Sequence, residues 1–340
     1  MIGQPGIQSG STVAYRQVFK QPESVLYFPG GGTIAAAAQD YGNGDPLTLR
    51  GGLLMGRVTS TKKWLPSLMG KMITAALTGS GTSITLSTAA ALELVRRVGT
   101  SGTFKLTGPP AANGTARTVT VTYSAVDTGT GVVTITAVGV NQVEQINFNV
   151  ASTAGNLQLN VQKTDGTFVT TANIAWNATD ATYLANINSA LDTATGVVGG
   201  IVASAIPATD TDLGIRLTYS GTGYAGLPWT SAEVALFPTS STAAIYTPIT
   251  TAVDGRFVVG SFVQPTDGSE SPRSTTPSGS GIQMAAANAA DVDFPQIPYS
   301  GLFDSDQIID WPTDAGLQTW LMNQLNTAGR FEFDHLLLPA

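Results

Sequence analysis

Cysteine is absent from the 340-residue chain, and histidine occurs only once. Without cysteine the protein can form no disulfide, thiolate nucleophile or thiolate metal site. A single histidine, His335, excludes a metal site built from several histidines. A Ser-His-Asp triad would need His335 buried beside a serine, yet it stands among leucines near the C-terminus. These absences favour a structural or solvent-exposed role for His335.

Charge is scarce as well. Only 11% of the residues are charged, against roughly 25% in ordinary soluble domains. Gly, Thr, Ser and Ala take their place, and this mixture favours short strands and turns over helices. A surface so poor in charge is a solubility liability for a free monomer. The composition therefore suits a protein that is packed into an assembly.

The few charges are unevenly distributed. Residues 1–105 hold ten Lys/Arg and four Asp/Glu, a net charge of +6, and residues 106–340 hold six and nineteen, a net charge of −13. An acidic majority argues against nucleic-acid binding, which needs clustered Lys and Arg. The basic charges of the first third are dispersed, so we expect contact with an acidic protein surface instead.

No membrane contact is predicted. The first residues, "MIGQPGIQSGST", lack the basic and apolar regions of a secretory signal, so synthesis in a cytoplasm is expected. The longest nearly apolar run, residues 196–206, is too short to span a bilayer. We interpret it as a buried strand.

Hydrophobic periodicity predicts a mainly β protein with a few short helices. Residues 1–52 alternate Gly, Pro and Asn with isolated apolar anchors, which favours an extended arm ordered against a neighbour. Residues 141–252 contain six strand-like runs and a helix at 180–196, typical of a separate β-rich module. Further helices are predicted at 88–99 and after Thr313, which is the expected N-cap. Leu317, Trp320, Leu321 and Leu325 share one face of the latter helix.

The carboxylates form no catalytic pattern. Turn formation or helix capping accounts better than calcium binding for the acidic residues of two clusters, Asp210 and Asp212 in the first and Asp304, Asp306, Asp310 and Asp314 in the second. The loop at 260–274 carries Asp267, Glu270 and Arg273, but its Pro-Thr-Asp-Gly run is typical of a turn. We therefore predict no catalytic residue, no cofactor and no metal, and no enzymatic activity.

Four segments, in this order, resemble those of tailed-phage head decoration proteins: "LRGGLLMGRVTSTKKWLP" (49–66), "ELVRRVGTSGTFKLTGPP" (93–110), "FVVGSFVQPTDGSESPRS" (257–274) and "DSDQIIDWPTDAGLQTWLMNQLN" (304–326). The resemblance implies a small β-barrel or β-tulip-like core made of residues 53–140 and 253–340, preceded by a capsid-binding arm at 1–52. It also implies a homotrimer that binds the major capsid protein on the outer surface of the expanded capsid and stabilises the virion.

The sequence departs from that family in two places. Lys62 and Trp64 stand where the family pattern has Gly and Tyr. Residues 141–252 interrupt the pattern, and their "IAWNAT" run (174–179) resembles β modules of phage surface proteins. The resemblance thus implies a sandwich-like module, inserted into the core and displayed outward.

The residues predicted to contact the capsid or another subunit combine apolar anchors of the arm with nearby cations. They are Tyr27, Phe28, Tyr41, Leu47, Leu49, Arg50, Lys62 and Lys63. Two other functions stay open. One is a capsid-anchored adhesin that binds glycans through 141–252, where Trp176, Tyr183, Tyr224 and Trp229 could serve. The other is a tail-tube or baseplate protein. A glycan-cleaving enzyme ranks below both.

Overall fold

The computed structural model describes residues 16–68, 71–206, 211–266, 272–279, 281–285, 290–328 and 330–333. The predicted mainly β class is confirmed, with 37% strand and 15% helix. No sheet within these ranges closes into a barrel, so the barrel-like form implied for the core is not seen. No helix within these ranges is long and apolar enough to cross a bilayer.

The strands are short, as the abundance of Gly and Thr predicts. In chain order they are β1 (Leu26–Tyr27), β2 (Gly32–Ile34), β3 (Thr48–Leu49), β4 (Leu54–Arg57), β5 (Trp64–Pro66), β6 (Ser83–Thr85), β7 (Gly102–Gly108), β8 (Arg117–Val126), β9 (Val132–Ile135), β10 (Val143–Phe148), β11 (Asn156–Gln162), β12 (Phe168–Thr170), β13 (Ile174–Ala175), β14 (Ile201–Ala205), β15 (Gly214–Tyr219), β16 (Glu233–Leu236), β17 (Ala244–Thr250), β18 (Phe262–Pro265), β19 (Pro272–Thr275), β20 (Ile282–Gln283), β21 (Val292–Phe294), β22 (Pro298–Phe303) and β23 (Arg330–Phe333).

Three α-helices lie within the described ranges: α1 (Thr88–Arg97), α2 (Asp180–Thr195) and α3 (Ala315–Ala328). All three coincide with predicted helices. Ser87 caps α1 by accepting a hydrogen bond from the main-chain N–H of Ala90, and Gly196 ends α2 in the left-handed conformation. The N-cap predicted at Thr313 is wrong, because the Asp314 carboxylate accepts the hydrogen bond from Leu317 N.

The chain divides into two compact units. The first comprises Met1–Ala76, Ser83–Thr136 and Phe257–Ala340, and the second comprises Leu77–Thr82 and Ala137–Arg256. The second unit therefore extends four residues beyond each end of the range 141–252 and also includes a short segment from before α1.

The first unit contains two five-stranded sheets, a three-stranded sheet and a two-stranded sheet within the described ranges. Their strand orders are β18-β7-β8-β9-β6, β19-β4-β5-β2-β21, β1-β22-β23 and β20-β3. Two pairs are parallel, β2 with β5 and β22 with β23. Helix α3 contributes Leu317, Leu321 and Leu325 to a hydrophobic cluster that also contains residues of β4, β18, β22 and β23.

Residues 16–52, the described part of the predicted arm, are folded into the first unit. Val18 and Phe19 are buried, and the Phe19 ring stacks on Phe303 with 4.7 Å between ring centroids. Ile34 and Leu49 are buried in a second hydrophobic cluster of this unit. The segment lacks a periodic pattern because its partners come from distant parts of the chain. Residues 1–15 of the predicted arm lie outside the described residues.

The second unit has two four-stranded sheets in its described ranges and the helix α2. One sheet has the order β14-β15-β10-β17, and in the other β11 pairs with β12, β13 and β16. Buried residues of both sheets and of α2 join one hydrophobic cluster, as in a sandwich. Where the chain enters and leaves this unit, Val140 and Val253 exchange two main-chain hydrogen bonds of 3.0 and 3.1 Å.

Candidate functional site

The hairpin between β4 and β5 carries the cationic tip predicted from Lys62 and Lys63. Its turn closes through main-chain hydrogen bonds from Val58 N to Lys63 O (2.9 Å) and from Lys62 N to Val58 O (2.8 Å). Lys62 has a φ of 62°, in the left-handed region that favours glycine. The turn leaves the Lys62 side chain exposed at the tip.

Arg57 is a further cation of this tip, in addition to the two predicted lysines. It is the exposed last residue of β4, and its Nε donates a 2.9 Å hydrogen bond to the main-chain carbonyl of Lys62. The predicted hairpin was the sequence signal that could have placed Arg57 at this tip, since a short turn brings the residues on its two arms together. The name hairpin tip is used below for Arg57–Lys63.

Lys63 and Lys62 differ in how their charges are compensated. Lys63 Nζ lies 2.5 Å from the Asp291 carboxylate, which also accepts a hydrogen bond from Ala36 N. The hydrogen bond from Lys63 and the one from Ala36 lower the pKa of Asp291. No carboxylate within the described ranges pairs with Lys62. Lys62 and Arg57 are therefore the charges of the tip that are available to a partner.

Arg50 is held inside the first unit. Its Nε and Nη2 donate hydrogen bonds of 2.6 and 2.9 Å to the two carboxylate oxygens of Asp40, whose side chain is completely buried. These bonds with Asp40 raise the pKa of Arg50. Asp40 also accepts hydrogen bonds from the main-chain N–H groups of Gly42 and Arg50. The predicted contact residue Arg50 thus anchors its own loop.

The predicted apolar anchors differ in exposure. Leu49 is buried and pairs with Ile282 across β3 and β20. Phe28 is half-buried and lies 5.5 Å from both Trp64 and Tyr299, between ring centroids. Only Tyr27 of this set is exposed, on the edge strand β1 beside the exposed Leu26. The remaining two anchors, Tyr41 and Leu47, are half-buried.

Three of the predicted acidic residues serve as a helix cap, an ion-pair partner and a hydrogen-bond acceptor. Asp314 caps α3, Asp304 forms an ion pair with Lys20, and Asp212 accepts a 2.5 Å hydrogen bond from Trp176 Nε1. Among the described residues no group of three or more His, Cys, Asp or Glu side chains is placed to hold a metal ion. Asp306 is exposed, and Asp310 forms an ion pair with Lys71. The other candidates lie outside what the structure describes: Asp210, Asp267, Glu270, His335 and the side chain of Arg273.

The four aromatic residues that motivated glycan binding by the second unit belong to its core. Tyr183 and Tyr224 are completely buried, and Trp176 and Trp229 pack against the same hydrophobic cluster. Trp229 Nε1 donates to the main-chain carbonyl of Tyr224. In this conformation the four rings form no exposed platform on which a sugar could stack.

A polar cleft of about 700 Å³ opens on the first unit, with Arg50 in one wall. It is lined mainly by the segment that links β22 to α3, together with Arg16. Its lining, which we call the Trp311 cleft, consists of Arg16, Arg50, Ser305, Asp306, Ile308, Ile309, Asp310, Trp311, Pro312, Thr313 and Gln318.

No protein-family model matches the chain, and no curated protein sequence matches it. Its function is therefore inferred from its own residues and their geometry.

Proposed function

We propose that this chain is a structural virion protein that binds the outer surface of the expanded phage capsid and stabilises it. One observation carries the proposal. The four segments that resemble decoration proteins are far apart in the sequence, yet all four lie in the first unit. Strand β4 of the first segment pairs with β19 at the end of the third, and β7 of the second pairs with β18 of the third.

The conformation of Lys62 gives further support. The decoration family that this chain resembles has glycine at this position. The φ of 62° at Lys62 favours glycine over residues with a Cβ. A hairpin of the same shape thus explains why glycine suits the family pattern there. In this chain the position carries a cation instead, which adds charge to the surface proposed to face the capsid.

The proposed mechanism is clamping by binding. A protein that binds only the assembled, expanded shell stabilises that state by mass action. Arg57 and Lys62 at the hairpin tip are the cations proposed to meet acidic side chains of the major capsid protein. The exposed Tyr27, with Leu26, supplies apolar area. Exposed ion pairs are individually weak, so we assign more of the affinity to the apolar contacts.

The low charge of the chain also fits an assembly in which many copies sit side by side as homotrimers. The second unit, which has its own core, is the part proposed to be displayed outward. No catalytic step is part of this function.

Separation of virions into heads and tails tests the proposal. We expect the chain in the head fraction, in many copies, and we expect heads stripped of it to burst at a lower temperature than decorated heads. Presence in the tail fraction alone would favour a tail-tube or baseplate protein. Equal heat resistance of bare and decorated heads would remove the stabilising role.

A further inference from the structure

The Trp311 cleft carries a second inference, which does not depend on the capsid function. Its volume of about 700 Å³ lies within the roughly 300–1,000 Å³ typical of small-molecule sites. Three apolar residues of its lining, Ile308, Ile309 and Pro312, are buried. The half-buried Trp311 packs against the hydrophobic cluster that contains Leu317 and Leu321 of α3. It adds an aromatic surface to the lining.

The two arginines of the cleft retain donors that no described group uses. Arg16 donates from Nη1 to the main-chain carbonyl of Gln307, and no carboxylate within the described ranges pairs with it. Arg50 uses Nε and Nη2 for Asp40, which leaves Nη1 without a described partner. The salt bridge with Asp40 fixes the Arg50 guanidinium in place. A ligand would therefore meet preorganised N–H donors on this wall.

Acceptors lie in the same lining. Asp306 is exposed and makes no hydrogen bond or ion pair with any described residue. Asp310 uses one carboxylate oxygen for Lys71 Nζ, at 3.3 Å, and its other oxygen has no described partner. The charges balance, because Arg50 is paired with Asp40 and Asp310 with Lys71, while Arg16 and Asp306 have opposite signs. The cleft therefore favours an uncharged ligand.

Hydroxyl groups match this chemistry. A guanidinium only donates hydrogen bonds and a carboxylate only accepts them, whereas a hydroxyl does both. A sugar ring carries several hydroxyls around an apolar face, which suits a polar lining beside an indole. A polypeptide suits the cleft less well, because no residue of its lining lies in a strand and the main-chain N–H of Ile309 already bonds to Gly52 O.

We propose that the Trp311 cleft binds a neutral saccharide, with Arg16 and Arg50 as donors, Asp306 and Asp310 as acceptors and Trp311 as the stacking surface. The proposed glycan site thus lies on the first unit and not among the aromatic residues of the second.

Titration calorimetry of the full chain with two neutral probes, maltotriose and the trimer of N-acetylglucosamine, tests the proposal. We expect at least one probe to bind with a Kd in the millimolar range or tighter. Trp311→Ala and Asp306→Ala are each expected to weaken that binding about tenfold or more. Because the Trp311 ring also packs on the hydrophobic cluster, Asp306→Ala is the decisive variant, since the Asp306 side chain is exposed.

Glu233→Ala is the matched control, since Glu233 is an exposed carboxylate of the second unit; its affinity for the probe should equal that of the unchanged chain. Absence of binding by both trimers at about 10 mM overturns the proposal. Equal binding by the Asp306→Ala variant and the unchanged chain overturns it as well. If Asp306→Ala weakens attachment to heads while no saccharide binds, the cleft holds a polypeptide and the saccharide assignment is wrong.

Discussion

Arg57 donates a 2.9 Å hydrogen bond from its Nε to the main-chain carbonyl of Lys62. This contact brings two cations together at the tip of the β4–β5 hairpin, neither of which has a carboxylate partner among the described residues. The neighbouring Lys63 is already paired with Asp291. At the hairpin tip, Arg57 and Lys62 are thus available for binding, whereas Lys63 takes part in an ion pair within the fold.

Removal of the available charges should weaken attachment to heads. We expect Arg57→Ala and Lys62→Ala each to lower the affinity for expanded heads about two- to fivefold, as is usual for exposed ion pairs. The effect should shrink as salt is added, because exposed charges are screened. Co-sedimentation of the protein with heads over a range of salt concentrations measures both quantities.

Lys163→Ala is the control for this series, since Lys163 is a lysine of the second unit paired with Asp165; its affinity for heads should not change. Lys63→Ala should weaken binding less than Lys62→Ala, because Asp291 already compensates its charge. A larger loss for Lys63→Ala than for Lys62→Ala would mean that the two lysines have been assigned the wrong roles.

Lys62→Gly should make the protein more stable while it removes a binding charge. The left-handed conformation destabilises a residue with a Cβ by roughly 1–2 kcal/mol. Glycine removes this cost but loses more backbone entropy on folding, so we expect a net gain in stability of about 1 kcal/mol. Lys62→Ala keeps the Cβ and should give no such gain. Urea unfolding of the unchanged chain and of the two variants measures their free energies of unfolding. A less stable glycine variant would contradict the φ of 62° at this position.

Arg50→Ala should destabilise the first unit severely. The Asp40 side chain is completely buried, and loss of its guanidinium partner leaves a buried charge that costs about 3 kcal/mol or more. Arg50→Lys keeps a positive charge but cannot reproduce the two parallel hydrogen bonds, so an intermediate loss is expected. Chemical denaturation measures the free energies of unfolding. A change below about 0.5 kcal/mol for Arg50→Ala would show that the pair contributes little to the fold.

The second unit should be removable. Val140 and Val253 exchange both of their main-chain hydrogen bonds, which places their Cα atoms about 5.5 Å apart. An Asn-Gly turn can join them in place of residues 141–252. Because the buried Leu77 belongs to the second unit, Leu77→Thr should accompany the deletion to avoid an exposed apolar side chain.

We expect this shortened chain to fold and to bind heads as the full chain does, as measured by circular dichroism and co-sedimentation. The full-length Leu77→Thr variant serves as its control. An insoluble or non-binding product, beside a folded control, would mean that the second unit takes part in the fold or in the contact with the capsid.

The sequence predicts local structure well where the signals are local. Helix α1 begins after Ser87 and helix α2 ends at Gly196, since capping residues act within one turn. The β4–β5 hairpin follows from its two apolar runs and polar turn. The alternation of apolar and polar residues in β10 and β11 matches the alternation of buried and half-buried positions in these strands.

Long-range contacts are harder to predict. The residues before Gly52 show no period, because Phe19 meets Phe303 and Leu49 meets Ile282, and such partners cannot be read from neighbouring residues. Removal of residues 1–52 would therefore take buried side chains from the first unit as well as any capsid-binding arm. The Trp311 cleft escaped prediction for the same reason, since Arg16, Arg50 and Trp311 become neighbours only in the fold.

Imaging of decorated heads at a resolution that separates the two units tests the central claim most directly. The account predicts density of the first unit against the outer surface of the shell, with the hairpin tip facing capsid protein and the second unit pointing away. Density of the second unit against the shell, or density of this chain only in the tail, would contradict it.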